Sequence, residues 1–202
     1  MFPARRGPAV DWLIVGLGNP GREHAKGRHN VGFMVAGELI ERWSLGPVRE
    51  RFRGRIAQGR AGGAGTGTEA ERPRRQVAVL CPLTYMNDAG RSVGPARGEL
   101  RLQLEQVIVV HDEIDLQFGE VRARTGGGLA GHNGLKSVSR ALGGPGFRRV
   151  RVGVGRPAST DPEIVAAYVL GRFGEPPTEV AQLIARACGE VEGIVFGPVL
   201  AA

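Results

Sequence analysis

Four histidines, His24, His29, His111 and His132, are the side chains in this sequence best suited to moving a proton near neutral pH. All four lie beside turn-rich segments, at the expected ends of strands or starts of helices. Three side-chain amides, Asn19, Asn87 and Asn133, share those segments, and Asp112 closes the strongest strand signal, VIVV at residues 107–110. In open α/β sheets the carboxyl ends of the strands form the ligand crevice. The inventory is therefore imidazole, carboxylate and amide, with no serine or cysteine nucleophile at a convincing position. It suits general-base hydrolysis by water, or recognition of a polar ligand. Taken singly, each of these side chains is also of a type that satisfies loop backbone groups.

Three local patterns suggest other chemistry and fail on context. GLGNPG at residues 16–21 matches G-x-G-x-x-G, but a dinucleotide site needs an acidic residue about 20 positions on, at a strand end. The residues in range, Glu38 and Glu41, sit inside a helical pattern, and the glycines are separated from that helix by a long loop. GRSVG at residues 90–94 matches a nucleophile elbow, with Asp112 and His132 following in order. The preceding strand ends near Pro82, however, which leaves Ser92 inside a helix rather than at its mouth. The HDEID run at 111–115 offers hard metal ligands, yet an extended segment alternates its faces, so at most a subset converges. No second carboxylate cluster completes a two-metal site. Neither a metal nor a cofactor is expected.

The elements that must hold these groups alternate along the chain. Residues 12–17 read as a buried strand and 31–43 as an amphipathic helix. Residues 51–58 and 76–80 read as the two strands of a hairpin, with a Gly- and Arg-rich mobile surface loop over 59–75. A helix starts near residue 88, strands follow at 107–110 and 120–124, and glycines at 126–128 and 131 bracket a flexible loop. Beyond it come a helix reaching Leu142, a strand over 147–155, and helices over 163–170 and 178–195. Strand–helix alternation predicts an α/β fold: one domain over residues 1–202, a twisted, mixed, largely parallel sheet flanked by helices, and a flexible extension over 1–10.

Composition bounds the rest. At 202 residues and 42% hydrophobic, the chain can bury a real core. Cys81 and Cys188 are too few for a disulfide scaffold and lack metal-ligand spacing, which fits a reducing cytoplasm. No apolar run approaches the ~18 residues of a membrane span, and the first residues carry no apolar core of a secretion signal. A net charge of +7, carried almost wholly by arginine, favours a polyanionic partner.

Six segments in order resemble the bacterial peptidyl-tRNA hydrolase family: GLGNPG at 16–21, RHNVG at 28–32, TYMN at 84–87, VHDEIDL at 110–116, GGGLAGHNGLK at 126–136 and FRRVRVGVG at 147–155. They span nearly the whole chain, and it is their order together that makes the match specific. The resemblance implies a cytoplasmic monomer without cofactor, metal or obligate protein partner. It implies hydrolysis of the ester joining a peptide to the 3′ end of tRNA. It makes His29 the general base, Asp112 the carboxylate orienting it, and Asn19 a contact to the peptide end. Tyr85, Asn87 and Asn133 would bind the tRNA 3′ end and peptide, with His24 beside them. Arg124 and Arg151 would grip the tRNA 5′ phosphate. The family usually has Tyr at the position of His24 and Thr at that of Gly27, and other residues than Leu129-Ala130 in the glycine loop. The alternative implied by the same shape is a non-catalytic RNA-binding protein, related to members that assist intron splicing.

Overall fold

The structure, a computed structural model, describes residues 10–62 and 73–197. Its frame is one seven-stranded sheet: β1 (Trp12–Gly16), β2 (Arg49–Arg51), β3 (Gly54–Ala61), β4 (Arg75–Pro82), β5 (Val107–Glu113), β6 (Val121–Thr125) and β7 (Arg148–Gly153). The spatial order is β2-β3-β4-β1-β5-β7-β6. The central β4-β1-β5-β7 block is parallel, and β2, β3 and β6 join it antiparallel at the two edges. Strands buried on both faces read as unbroken apolar runs, which is why VIVV is so legible. The pleat then divides their side chains. Leu13, Val15, Val107 and Val109 pack on one side with α2 (Gly90–Leu100) and α3 (Asn133–Leu142). Ile14, Ile108 and Val110 pack on the other with α1 (Val31–Arg42) and α5 (Pro177–Phe196). The remaining helix, α4 (Pro162–Leu170), has no buried residue.

Three expectations need correction. The strand expected over residues 51–58 is broken by a tight turn in which Phe52 (φ 55°) and Arg53 (φ 53°) both adopt left-handed backbone, so β2 and β3 form a hairpin of their own. That turn lacks the Asn-Gly or Asp-Gly pair that normally announces it. The loop expected over 59–75 is shorter, because residues 59–61 and 75 pair within β3 and β4; residues 63–72 lie outside the described residues. The extension expected over 1–10 likewise stops short of Val10, which is buried in the core; residues 1–9 lie outside the described residues.

The glycines of GLGNPG serve packing. A Cβ on Gly16 would lie 2.2 Å from the Gly32 carbonyl oxygen, and one on Gly32 would lie 2.4 Å from the Leu17 nitrogen. Their absence lets the end of β1 touch the start of α1, and the turn before α1 is thereby laid across the carboxyl ends of β1 and β5.

Candidate active site

β5 runs further than its apolar residues suggest, carrying His111, Asp112 and Glu113 into the sheet's carboxyl edge as buried residues. Asp112 sits at the centre. One of its oxygens, Oδ1, lies 2.8 Å from His29 Nδ1 and 3.0 Å from His132 Nε2. His29 comes from the 3₁₀ turn Arg28–Asn30 that leads into α1. His132 is the N-cap residue of α3.

The cap fixes the protons. His132 Nδ1 accepts from the backbone N–H groups of Gly134 (3.1 Å) and Leu135 (3.3 Å), so it carries no hydrogen. The proton of neutral His132 is on Nε2 and is donated to Asp112. His29 Nδ1–H donates to the same carboxylate oxygen, so in the neutral imidazole Nε2 carries the lone pair. Burial alone would raise the Asp112 pKa; the charges and hydrogen bonds of His132 and His29 outweigh it and hold the carboxyl well below the usual carboxylate range. Asp112 is therefore an anion despite being buried.

His111 faces the back of this group. Its Nδ1–H donates to the Asp112 carbonyl 2.8 Å away, and its ring meets that of His132 edge-on at 5.1 Å. Burial, with His132 next to it, pushes its pKa down to about 3, so it is a neutral core residue.

The ligand atoms of His29, Asp112 and His132 all lie within 4.8 Å of one another, close enough to hold a metal ion. Ligation through His132 Nε2 would force its proton onto Nδ1, directly against the two N–H donors of α3. The capped tautomer favours a hydrogen-bonded triad over a metal centre.

Asn19 is held as firmly. Asn30 accepts from its backbone N–H (2.9 Å) and donates to its carbonyl (2.8 Å), and Asn19 Oδ1 accepts from the Met86 N–H (2.8 Å). The amide cannot flip without losing that bond, so its Nδ2 donors are the free end. Asn19, His29, Tyr85, Asn87 and Asn133 line a cavity of about 510 Å³ whose far wall is Ala166, Val169 and Leu170 of α4. Tyr85 stands at its mouth, 67% exposed.

The structure thus brings Asn19, His29, Asp112, Tyr85, Asn87 and Asn133 together. Three expected site residues stand apart from the cavity. His24 lies on the turn before Arg28, with Nε2 3.6 Å from Glu23. Arg124 is exposed on edge strand β6, and Arg151 on β7 spends its Nε on the buried Glu113 carboxylate at 2.9 Å. The sequence reading counted His132 among its four histidines but gave it no role at the site, and it did not single out Asn30. Histidine is not among the common N-cap types, so nothing local marks His132 as a cap. Arg149 was missed too: it is buried, and its guanidinium donates to the carbonyls of Gly126 and of Gly128 (2.9 Å), clasping the glycine turn that leads to His132.

Comparison with known proteins gives this geometry a family. The sequence model described as peptidyl-tRNA hydrolase matches residues 13–199. The chain belongs to the peptidyl-tRNA hydrolase family. It is 46% identical over 166 residues to the peptidyl-tRNA hydrolase of Parvibaculum lavamentivorans, covering 82% of this chain and 74% of that protein. To the one of Rhodopseudomonas palustris it is 42% identical over 183 residues, covering 91% and 84%. The crystal structure of peptidyl-tRNA hydrolase from Acinetobacter baumannii superposes with a TM-score of 0.78 at 36% identity, covering 93% of this chain and 90% of that one. Among the described residues no helix is long and apolar enough to cross a membrane.

Proposed function

We propose that this peptidyl-tRNA hydrolase family member cleaves the ester between the peptide and the 3′ ribose of tRNA by general-base activation of water. The observation that carries the mechanism is the free Nε2 of His29, opposite an Nδ1–H held 2.8 Å from buried Asp112. Nε2 takes a proton from water as the water oxygen bonds to the ester carbon. Asp112 stabilises the imidazolium that forms. The tetrahedral intermediate collapses, the carbon–ribose oxygen bond breaks, and the imidazolium returns its proton to the ribose oxygen. Free tRNA and a peptide carboxylic acid result. General-base assistance of this kind contributes about 10²–10⁴-fold.

Asn19 Nδ2 points the right dipole at the acyl group, since its Oδ1 is already bound to Met86 N–H. An amide donor suits a neutral carbonyl or oxyanion and leaves the ammonium of a free aminoacyl-tRNA without an acceptor. Tyr85 offers a ring on which a terminal base stacks, and Asn87 and Asn133 offer amides to the same end. Arg124 and the free nitrogens of Arg151 meet the 5′ phosphate, with His24 at the periphery. The protein acts as a cytoplasmic monomer without an obligate protein partner, cofactor or metal. A pure RNA binder has no use for a base poised this way. The test is incubation of the purified chain with N-acetylated and with unblocked aminoacyl-tRNA. Release of free tRNA from the acetylated substrate alone is expected; binding without release would overturn the proposal.

A further inference from the structure

Beside the catalytic cavity lies a second one of about 530 Å³, and the two share the Asn19 wall. Its floor is apolar, made by Pro20, Phe33, Met34 and Leu83, and two guanidinium groups, Arg22 and Arg55, stand on its rim. Its place in the sheet is informative. Arg55 lies on β3 and Leu83 follows β4, so the cavity occupies the β1-β4-β3 side of the carboxyl edge. The glycine turn and Arg124 lie across the catalytic group, on the β7-β6 side.

An ester bound at His29 has two arms that leave the reacting carbon in opposite directions. We propose that the second cavity receives the peptide arm, seating the side chain of the residue upstream of the esterified one, and that Arg22 and Arg55 make it prefer an acidic residue there. The inference rests on the peptidyl-tRNA reading above. Asn19 stands where the two cavities meet, so a peptide carbonyl bound by its Nδ2 passes from one into the other. A floor of methionine, leucine, proline and phenylalanine packs against aliphatic stems and gives a phosphodiester nothing. The rim supplies the charge. Arg22 has no acidic partner among the described residues, and the only one for Arg55 is Glu50, at 4.0 Å, the outer limit of an ion pair. An aspartate or glutamate entering the cavity meets both guanidiniums, whereas a lysine is repelled by them.

Three substrates on one tRNA decide the matter: an N-acetyl-aminoacyl ester, and two acetyl-dipeptidyl esters carrying glutamate or lysine at the upstream position. Wild-type kcat/KM is expected to favour glutamate over lysine by about twofold to fivefold, the range an exposed ion pair supplies. Arg55→Glu, at an exposed site that does not threaten folding, is expected to invert that ratio, and Arg22→Glu to reduce it. A glutamate-to-lysine ratio unchanged by both variants overturns the proposal. So does an equal fall for all three substrates, which would mark the cavity as a contact for the RNA. If the wild-type protein leaves even the N-acetyl-aminoacyl ester intact, it is the hydrolase reading that has failed rather than the subsite.

Discussion

Asp112 serves two imidazoles through one oxygen, and they are not equivalent. His29 keeps a free lone pair facing the cavity, while both nitrogens of His132 are occupied, one by Asp112 and one by the first turn of α3. His132 is thus a positioning residue for the carboxylate. A hydrogen bond to a charged group contributes about 1.5–3 kcal/mol, so His132→Ala is expected to lower the single-turnover rate on an N-acetyl-aminoacyl-tRNA about tenfold or more. The KM should stay near that of the wild type. His111 gives a pH prediction. Its pKa is pushed down to about 3 in the folded protein, from about 6.5 when unfolded. Between those values the unfolded chain binds a proton that the folded one refuses, so stability falls as the pH drops from about 6.5 toward 3. Asp112, whose pKa is depressed, adds its own loss only below the usual carboxylate range near 3.9. Urea unfolding of wild type and His111→Phe at pH 7 and pH 4.5 checks this. The wild type is expected to lose more stability than the variant. At this scale the gathering of His29, Asp112 and the amides was legible because each sits in a short motif with its own turn signal. His132 was counted with the other histidines, but its place on Asp112 was not legible, because it depends on which nitrogen the backbone of α3 claims.

At the scale of elements, the wall opposite His29 is held by Tyr168, by the Arg28 side chain and by the Arg28 N–H bond to the Gly171 carbonyl (2.9 Å). α4 buries no residue of its own. Tyr168 ties it to the Val154 carbonyl at 2.7 Å, and the Arg28 guanidinium lies 4.2 Å over the Tyr168 ring and 5.5 Å from that of Phe173. Arg28 also donates to the Arg172 carbonyl and pairs with Glu175 at 3.4 Å. Because Arg28 immediately precedes His29, it ties α4 to the turn that carries that histidine. Lysine keeps the charge but loses the planar stacking and the fork. Arg28→Lys is therefore expected to raise KM about threefold to tenfold while kcat changes little, and to increase protease cleavage within residues 162–175. Unaltered KM and cleavage would mean that α4 is held by something else. The helices and buried strands were readable from apolar period and length. The β2–β3 turn was not, because Phe52 and Arg53 adopt positive φ without the residue types that signal it. The clamp by Arg28 joins segments about 140 residues apart, and no local pattern encodes such a contact.

At the scale of the whole molecule, strand–helix alternation foretold the α/β class and its mixed sheet, at whose carboxyl edge His29, Asp112 and His132 meet. The order of the strands was not foretold, since pairing partners distant in sequence are chosen by packing rather than by neighbouring residues. Its charge of +7 makes association with a polyanion salt-dependent. For a substrate held through several phosphates, KM is expected to rise about tenfold or more between 0.05 and 0.2 M salt, with kcat nearly constant. A small esterified nucleoside without the tRNA body should show almost no such dependence.

The central claim is that His29 takes the proton and Asp112 holds it ready to do so. The most direct measurement is the single-turnover rate of ester cleavage on N-acetyl-aminoacyl-tRNA at saturating enzyme, for wild type, His29→Ala and Asp112→Asn. Losses of about 10²–10⁴-fold are expected for both variants, with tRNA binding retained. A rate within a fewfold of wild type for either one would contradict the account.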